Sequence, residues 1–241
     1  MQAAEEQDKV VRFYDQFAEK QEKTGINSRH LSILDKVKKA GLQAQHRILE
    51  VGCGIGTVSH LLATQVPQGE VLAVDISPES IEKARVLWKK QGNLKFDVSD
   101  MSDFNLPGKK FDFFVFPDVL EHIPVAQHAQ LFKNIQAHAH QDSVLFVHIP
   151  APRYLEWMIA NQPEKLQVID QPLDTGILVQ TLGAAGFYLE KMETYALFFE
   201  EKDYQYFVFR SSKKLQQSTA KSKWQVLKER ILIRLKYGIT S

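Results

Sequence analysis

Residues 48–57, ILEVGCGIGT, constrain the fold of this chain more than any other stretch. An apolar run of strand length enters glycines at alternate positions, Gly52, Gly54 and Gly56, and a helix-compatible segment follows. Glycine at such spacing opens backbone conformations closed to other residues and lets a ligand approach the main chain without meeting a Cβ atom. The arrangement builds a nucleotide-type pocket. A pyrophosphate-binding turn places its third glycine one position later, in the order G-x-G-x-x-G, and here that position is Thr57. Glu50, just before the turn, opposes a pyrophosphate and suits a ligand with an ammonium or sulfonium group.

Glu50, Gly52, Gly54 and Gly56 together resemble E-x-G-x-G-x-G, the first motif of the class I S-adenosylmethionine-dependent methyltransferases, and further matches follow in order. Residues 70–76, EVLAVDI, read as a second buried strand ending in Asp75, 19 residues after Gly56. That is close to the roughly 20-residue interval at which an acid meets a ribose hydroxyl pair in this topology. Residues 93–101, NLKFDVSDM, resemble the family's third strand, and residues 111–122, FDFFVFPDVLEH, its fourth strand with the D-V-L-E-H segment of small-molecule members. The resemblance implies S-adenosylmethionine as cofactor and S-adenosylhomocysteine as its product. It implies that Ile76 lies against the adenine, that Asp100 takes the adenine amino group and that the Met101 main chain takes a ring nitrogen. Cys53, Pro117 and Val119 complete the expected cofactor contacts. Any one of Asp75, Asp100 and Asp118 could instead cap a helix or sit in a solvated loop. All three follow apolar runs, however, which gathers them at the carboxyl edge of one sheet, where open α/β folds bind ligands.

At 241 residues the chain has room for one large α/β domain. Its formal charge of +1 conceals a split. Residues 211–241 hold eight Lys or Arg against the single acid Glu229, leaving 22 basic and 28 acidic residues before them. The acidic body argues against broad nucleic-acid binding, and the aromatic interleaving of a single-strand platform is missing. Cys53, the lone cysteine, rules out an intramolecular disulfide and a cysteine-rich zinc site. With no apolar leader at the amino terminus and no apolar run near the roughly 20 residues that span a bilayer, the expected location is cytoplasmic.

Three regions are expected. Residues 1–44 carry amino-terminal helices, over 4–20 and 29–40, that the family resemblance makes a lid; Tyr14, Arg29 and His30 are its candidates for closing the site or touching the cofactor carboxylate. Residues 45–211 form the core, with strands near 47–52, 70–75, 94–98, 111–116 and 143–149 alternating with helices near 57–65, 78–91 and 124–139. Such alternation implies a parallel sheet with right-handed crossovers. A helix over 173–186 and a hairpin over 188–210, turning at the charged residues 200–203, complete a fold that is α/β and Rossmann-like. The expected sheet has seven strands, mostly parallel with a carboxyl-terminal antiparallel hairpin, and helices on both faces. Residues 212–241 divide into a polar linker and an amphipathic basic helix over 223–237, with Trp224, Leu227, Ile231 and Leu235 on one face. This helix suits peripheral contact with an anionic membrane or a partner. Its charge balance favours packing on the acidic body or on a sister subunit in a homodimer.

Methyl transfer to a hydroxyl needs a base, for which histidine has the appropriate pKa. His122 after the fourth strand and His148 near the end of the fifth are the candidates, with Glu121 able to orient a histidine or bind an amine. Residues 150–157, aromatic and basic, are a candidate acceptor cap. No N-P-P-Y or D-P-P-Y follows the fourth strand, which disfavours methylation of an exocyclic base amine or a glutamine amide. No His/Asp/Glu cluster suggests a metal site. The expected acceptor is therefore a small or carrier-bound molecule, methylated at oxygen. An amino group, as on an amino sugar, and a non-catalytic cofactor-binding scaffold stand as alternatives.

Overall fold

The apolar runs at 71–74 and 111–116 leave no polar face, so strands built from them must be covered on both sides. In a computed structural model, which describes residues 22–102, 104–211 and 219–238, they are. After helix α1 (Ser28–Lys39) come β1 (Arg47–Val51), α2 (Thr57–Gln65), β2 (Glu70–Asp75), α3 (Pro78–Leu87), β3 (Leu94–Val98) and β4 (Phe111–Pro117). Helix α4 (Val125–Ala137), β5 (Ala139–Pro150), α5 (Pro152–Asn161), α6 (Thr175–Ala184), β6 (Phe187–Tyr195), β7 (Tyr204–Ser211) and α7 (Lys223–Tyr237) follow. The sheet runs β3-β2-β1-β4-β5-β7-β6. Its first five strands are parallel, and β7 lies antiparallel to both β5 and β6. The period-two alternation of a strand divides the core in two. Leu49, Phe114, Phe116, Leu145 and Val147 pack with Phe132 of α4 and Leu182 of α6, while Ile48, Phe113, Val115 and Phe146 pack with Ile33 and Val37 of α1 and Leu62 of α2.

The seven-stranded, mostly parallel sheet matches the expectation from sequence, and the departures are local. Strand β5 begins at Ala139 instead of near 143, because the polar residues 140–142, which resemble a turn, stay in the sheet across an irregularity between Phe111 and Phe113. The Ser143 hydroxyl holds this bulge by donating to the Phe111 carbonyl at 2.7 Å. Residues 150–157, expected as an acceptor cap, run from the end of β5 into α5, started by Pro152 in the first helical turn. Within the charged turn at 200–203, Asp203 is fully buried and accepts hydrogen bonds from the Leu197 and Phe198 amides at 2.7 and 3.0 Å, anchoring the hairpin tip. The expected helix over 4–20, including Tyr14, lies outside the described residues.

Strand order reverses between β1 and β4, whose neighbours lie on opposite sides. The carboxyl ends of these strands therefore diverge into a crevice, the place where open α/β sheets bind ligands.

Candidate functional site

The crevice holds a cavity of about 670 Å³, a size ordinary for a small-molecule site. A smaller one of about 120 Å³ adjoins it and shares Arg29, Gly52, Pro117 and Asp118. All three loop glycines take positive φ: +77° at Gly52, +52° at Gly54 and +78° at Gly56. The Gly52 and Cys53 amides both donate to the Val74 carbonyl, folding the loop back on β2. Gly52 and Gly54 line the main cavity, whereas Gly56 caps α2 against Phe96. Cys53 is buried beside the smaller cavity, and burial pushes its thiol pKa well up, which suits a packed side chain and not a nucleophile.

Asp75 lines the cavity at the end of β2. Its Oδ2 accepts from the Gly54 amide at 2.7 Å and its Oδ1 from the Ser77 amide at 2.9 Å, so one carboxylate orders the glycine loop and the start of α3. Ile76, Asp100, Met101, Pro117 and Val119 line the same cavity. The Met101 amide donates to the Ser99 hydroxyl at 3.0 Å and its carbonyl accepts from Asn134, so in this state its main chain is engaged within the protein. Asp100 Oδ1 accepts from both the amide and the hydroxyl of Ser102.

Glu50 is the exceptional carboxylate. It is fully buried and lines the smaller cavity, with neither oxygen in a well-formed hydrogen bond and only the Ser59 hydroxyl beside it to offset burial. Burial pushes its pKa up to about 8. An orphaned carboxyl beside a glycine loop fits the ammonium of a bound amino acid moiety. A raised folded-state pKa adds stability that is complete below the unfolded value of about 4.3 and lost as pH rises through the folded value. Denaturant melts of the ligand-free protein at pH 5, 7 and 9 should accordingly show stability falling across that range, and Glu50→Gln should flatten the slope.

Asp118, after β4, adopts φ +56°, a left-handed conformation that Asp tolerates better than most residues. Its Oδ2 lies 3.2 Å from Arg29 Nη1 and its Oδ1 2.5 Å from His148 Nδ1. Burial raises its pKa, but His148 and Arg29 outweigh burial and hold it below the usual carboxylate range. His148 is fully buried; its Nε2 sits 2.6 Å from the Tyr195 hydroxyl, which in turn accepts from Ser32 of α1 at 3.1 Å. The structure thus brings Arg29 to the cavity wall but does not bring His148 there. With Asp118 on one nitrogen and Tyr195 on the other, His148 is a strut between β5 and α1. His30 lines the smaller cavity and also serves the cap of α1, accepting from the Asn27 amide; burial and the Arg29 charge lower its pKa to about 4.

His122 does line the main cavity. Its Nδ1 lies 2.6 Å from the Ile169 carbonyl, which can only accept, so the proton sits on Nδ1 and the lone pair on Nε2. Burial lowers its pKa, keeping the ring neutral at physiological pH. Glu121 beside it is buried, with its pKa pushed well up by burial and by Asp118, and its Oε1 lies 3.8 Å from His122 Nε2. Sequence reasoning missed Ser99, Gln127, Gln130, Gln167 and Ile169, which complete the wall. None of residues 150–157 lines either cavity; Tyr154 and Trp157 of α5 form an aromatic cluster with Phe199 instead.

A doubly covered, mostly parallel sheet with a glycine loop and strand-end acids at its switch point defines a nucleoside-binding α/β protein. Residues 48–142 match the family model described as a methyltransferase domain. Similar curated proteins include malonyl-[acyl-carrier protein] O-methyltransferase 1 of Ilyobacter polytropus, 33% identical over 41% of this chain and 34% of that one. Another is trans-aconitate 2-methyltransferase of Methylobacterium nodulans, 27% identical over 48% of this chain and 43% of that one. The matches thus span about a third to two fifths of the length of these relatives. Among solved structures, magnesium protoporphyrin IX methyltransferase from Synechocystis, with bound S-adenosylhomocysteine, shares the fold with a TM-score of 0.59 at 19% identity, covering 85% of this chain and 86% of that one. The PH0226 protein of Pyrococcus horikoshii matches with a TM-score of 0.63 at 21% identity over 75% and 89% of the two chains. Over residues 48–142 the chain is similar to the methyltransferase domain family, and it shares the fold of solved S-adenosylmethionine-dependent methyltransferases.

Proposed function

We propose that the protein transfers a methyl group from S-adenosylmethionine to a hydroxyl or acid oxygen of a small or carrier-bound acceptor, with His122 as the general base where the acceptor must lose a proton. The observation that carries this reading is His122 itself: a neutral imidazole in the cavity wall whose tautomer is set by the Ile169 carbonyl, with its lone pair on Nε2. The bound cofactor supplies a methyl carbon already activated by its sulfonium leaving group, so the protein's contribution is chiefly position. Asp75 and Asp100 are the groups to hold the ribose and adenine, the glycine loop lets them approach the main chain, and Glu50 is the group to receive the ammonium. The name of the relative that methylates malonyl-[acyl-carrier protein] at oxygen supports an oxygen acceptor.

The test separates binding from chemistry. In His122→Ala, S-adenosylhomocysteine affinity should stay within about twofold of wild type, while methyl transfer into cell-extract acceptors falls by about 10²–10⁴, the ordinary contribution of a positioned base. Full turnover in the variant would remove His122 from the chemistry. Absence of turnover in wild-type protein that binds the cofactor would favour a scaffold.

A further inference from the structure

Helix α7 owes little to the catalytic domain. Its capping box is complete: Ser222 accepts from the Gln225 amide and Gln225 in turn from the Ser222 amide, and Gly238 closes the other end in a left-handed conformation. Yet none of its residues is buried. Trp224 is 80% exposed and Leu235 73%, with Leu227, Ile231, Leu232, Ile233 and Tyr237 also open to solvent. So much exposed apolar surface on one helix marks an interaction surface.

The charges indicate which kind. At 3.6 residues per turn, Trp224, Leu227, Ile231 and Leu235 fall within about 80° of arc. Lys223, Arg230 and Arg234 border that stripe on one edge and Lys228 on the other. Glu229, the sole acid, lies on the opposite side, paired with Lys221 at 2.6 Å. Val226, Ile233 and Tyr237 lie beyond the Lys223–Arg230–Arg234 row. On a fluid anionic interface the stripe enters the apolar layer while Lys223, Arg230 and Arg234 on one flank and Lys228 on the other extend up to the headgroups, their stems lying along it. Among the described residues no helix is long and apolar enough to cross a membrane, so the contact is lateral.

We infer that α7 lies in the plane of an anionic lipid surface and holds the enzyme there. The experiment is sedimentation of the full chain with phosphatidylcholine vesicles, with or without roughly 30 mol% phosphatidylserine, at low salt and at about 0.5 M salt. The expected result is at least about tenfold more binding to the anionic vesicles, lost at high salt. It should also be lost in Lys223→Glu/Arg230→Glu/Arg234→Glu and in Leu227→Asn/Ile231→Asn/Leu235→Asn. Because these residues lie outside the core, S-adenosylhomocysteine binding should be unchanged in both variants. Equal binding to neutral vesicles, or variants that bind like wild type, would overturn the inference. So would a protein that ignores vesicles and instead dimerises through α7 in analytical ultracentrifugation.

Discussion

Gly52→Ala is expected to abolish cofactor binding and to lower stability by about 3 kcal/mol, a fall in Tm of roughly 6–12 °C for a chain of this size. Two costs combine. An alanine at φ +77° is disfavoured by about 1–2 kcal/mol, and its Cβ would stand 2.2 Å from Val119 Cγ2 and 2.6 Å from Val119 Cβ. Val119 cannot swing away at its Cβ, so the loop must shift, with an overpacking cost of about 1–3 kcal/mol. That shift pulls the Gly54 amide from Asp75 and disorganises the cavity wall. Gly69→Ala is the informative contrast, since its Cβ would meet the His46 carbonyl at 2.0 Å, ahead of β2 at the opposite edge of the sheet. It should destabilise the protein without altering the affinity of the molecules that remain folded. Calorimetric melting and ligand titration of both variants distinguish the two.

Asp118→Ala is expected to cost about 3–5 kcal/mol, the range for removing one partner of a buried ion pair. It leaves the Arg29 guanidinium without its carboxylate, takes the Nδ1 partner from the fully buried His148, and places alanine at φ +56°. Since Arg29, Ser32 and Lys36 of α1 all reach this region, through Asp118 and Tyr195, the damage should appear as loosening of α1. Hydrogen exchange should show faster exchange of the α1 amides. Asp118→Asn should be much milder, because Asn accepts a left-handed backbone and keeps an acceptor for the imidazole. Equal losses in the two variants would show that the backbone conformation, and not the charge, is what matters at this position.

What could be read from the sequence was what is local. The glycine loop, the acids at the ends of β2 and β3 and the order of strands follow from short apolar runs and from residues with special backbone freedom. His148 shows where such reading fails. Its position near the end of β5 is evident from the sequence, but alternation puts it on the same face as Phe146, toward α1, while Val147 and Ile149 face the other layer. Only the pairing of β5 with β7 and the docking of α1 reveal that Tyr195 and Asp118 occupy both ring nitrogens. Gln167 and Ile169 come from a segment with no periodicity, so nothing local marks them as cavity wall. The tautomer of His122, on which its chemistry turns, is set by a carbonyl 47 residues away in the chain.

The central claim is that the carboxyl edge of this sheet is a cofactor pocket held by the glycine loop and Asp75. Its most direct test is calorimetric titration of S-adenosylhomocysteine into wild-type protein and into Asp75→Ala. The account predicts saturable one-site binding to the wild type and its loss in the variant. An absence of binding in wild-type protein shown to be folded and ligand-free, or equal affinity in the variant, would contradict it.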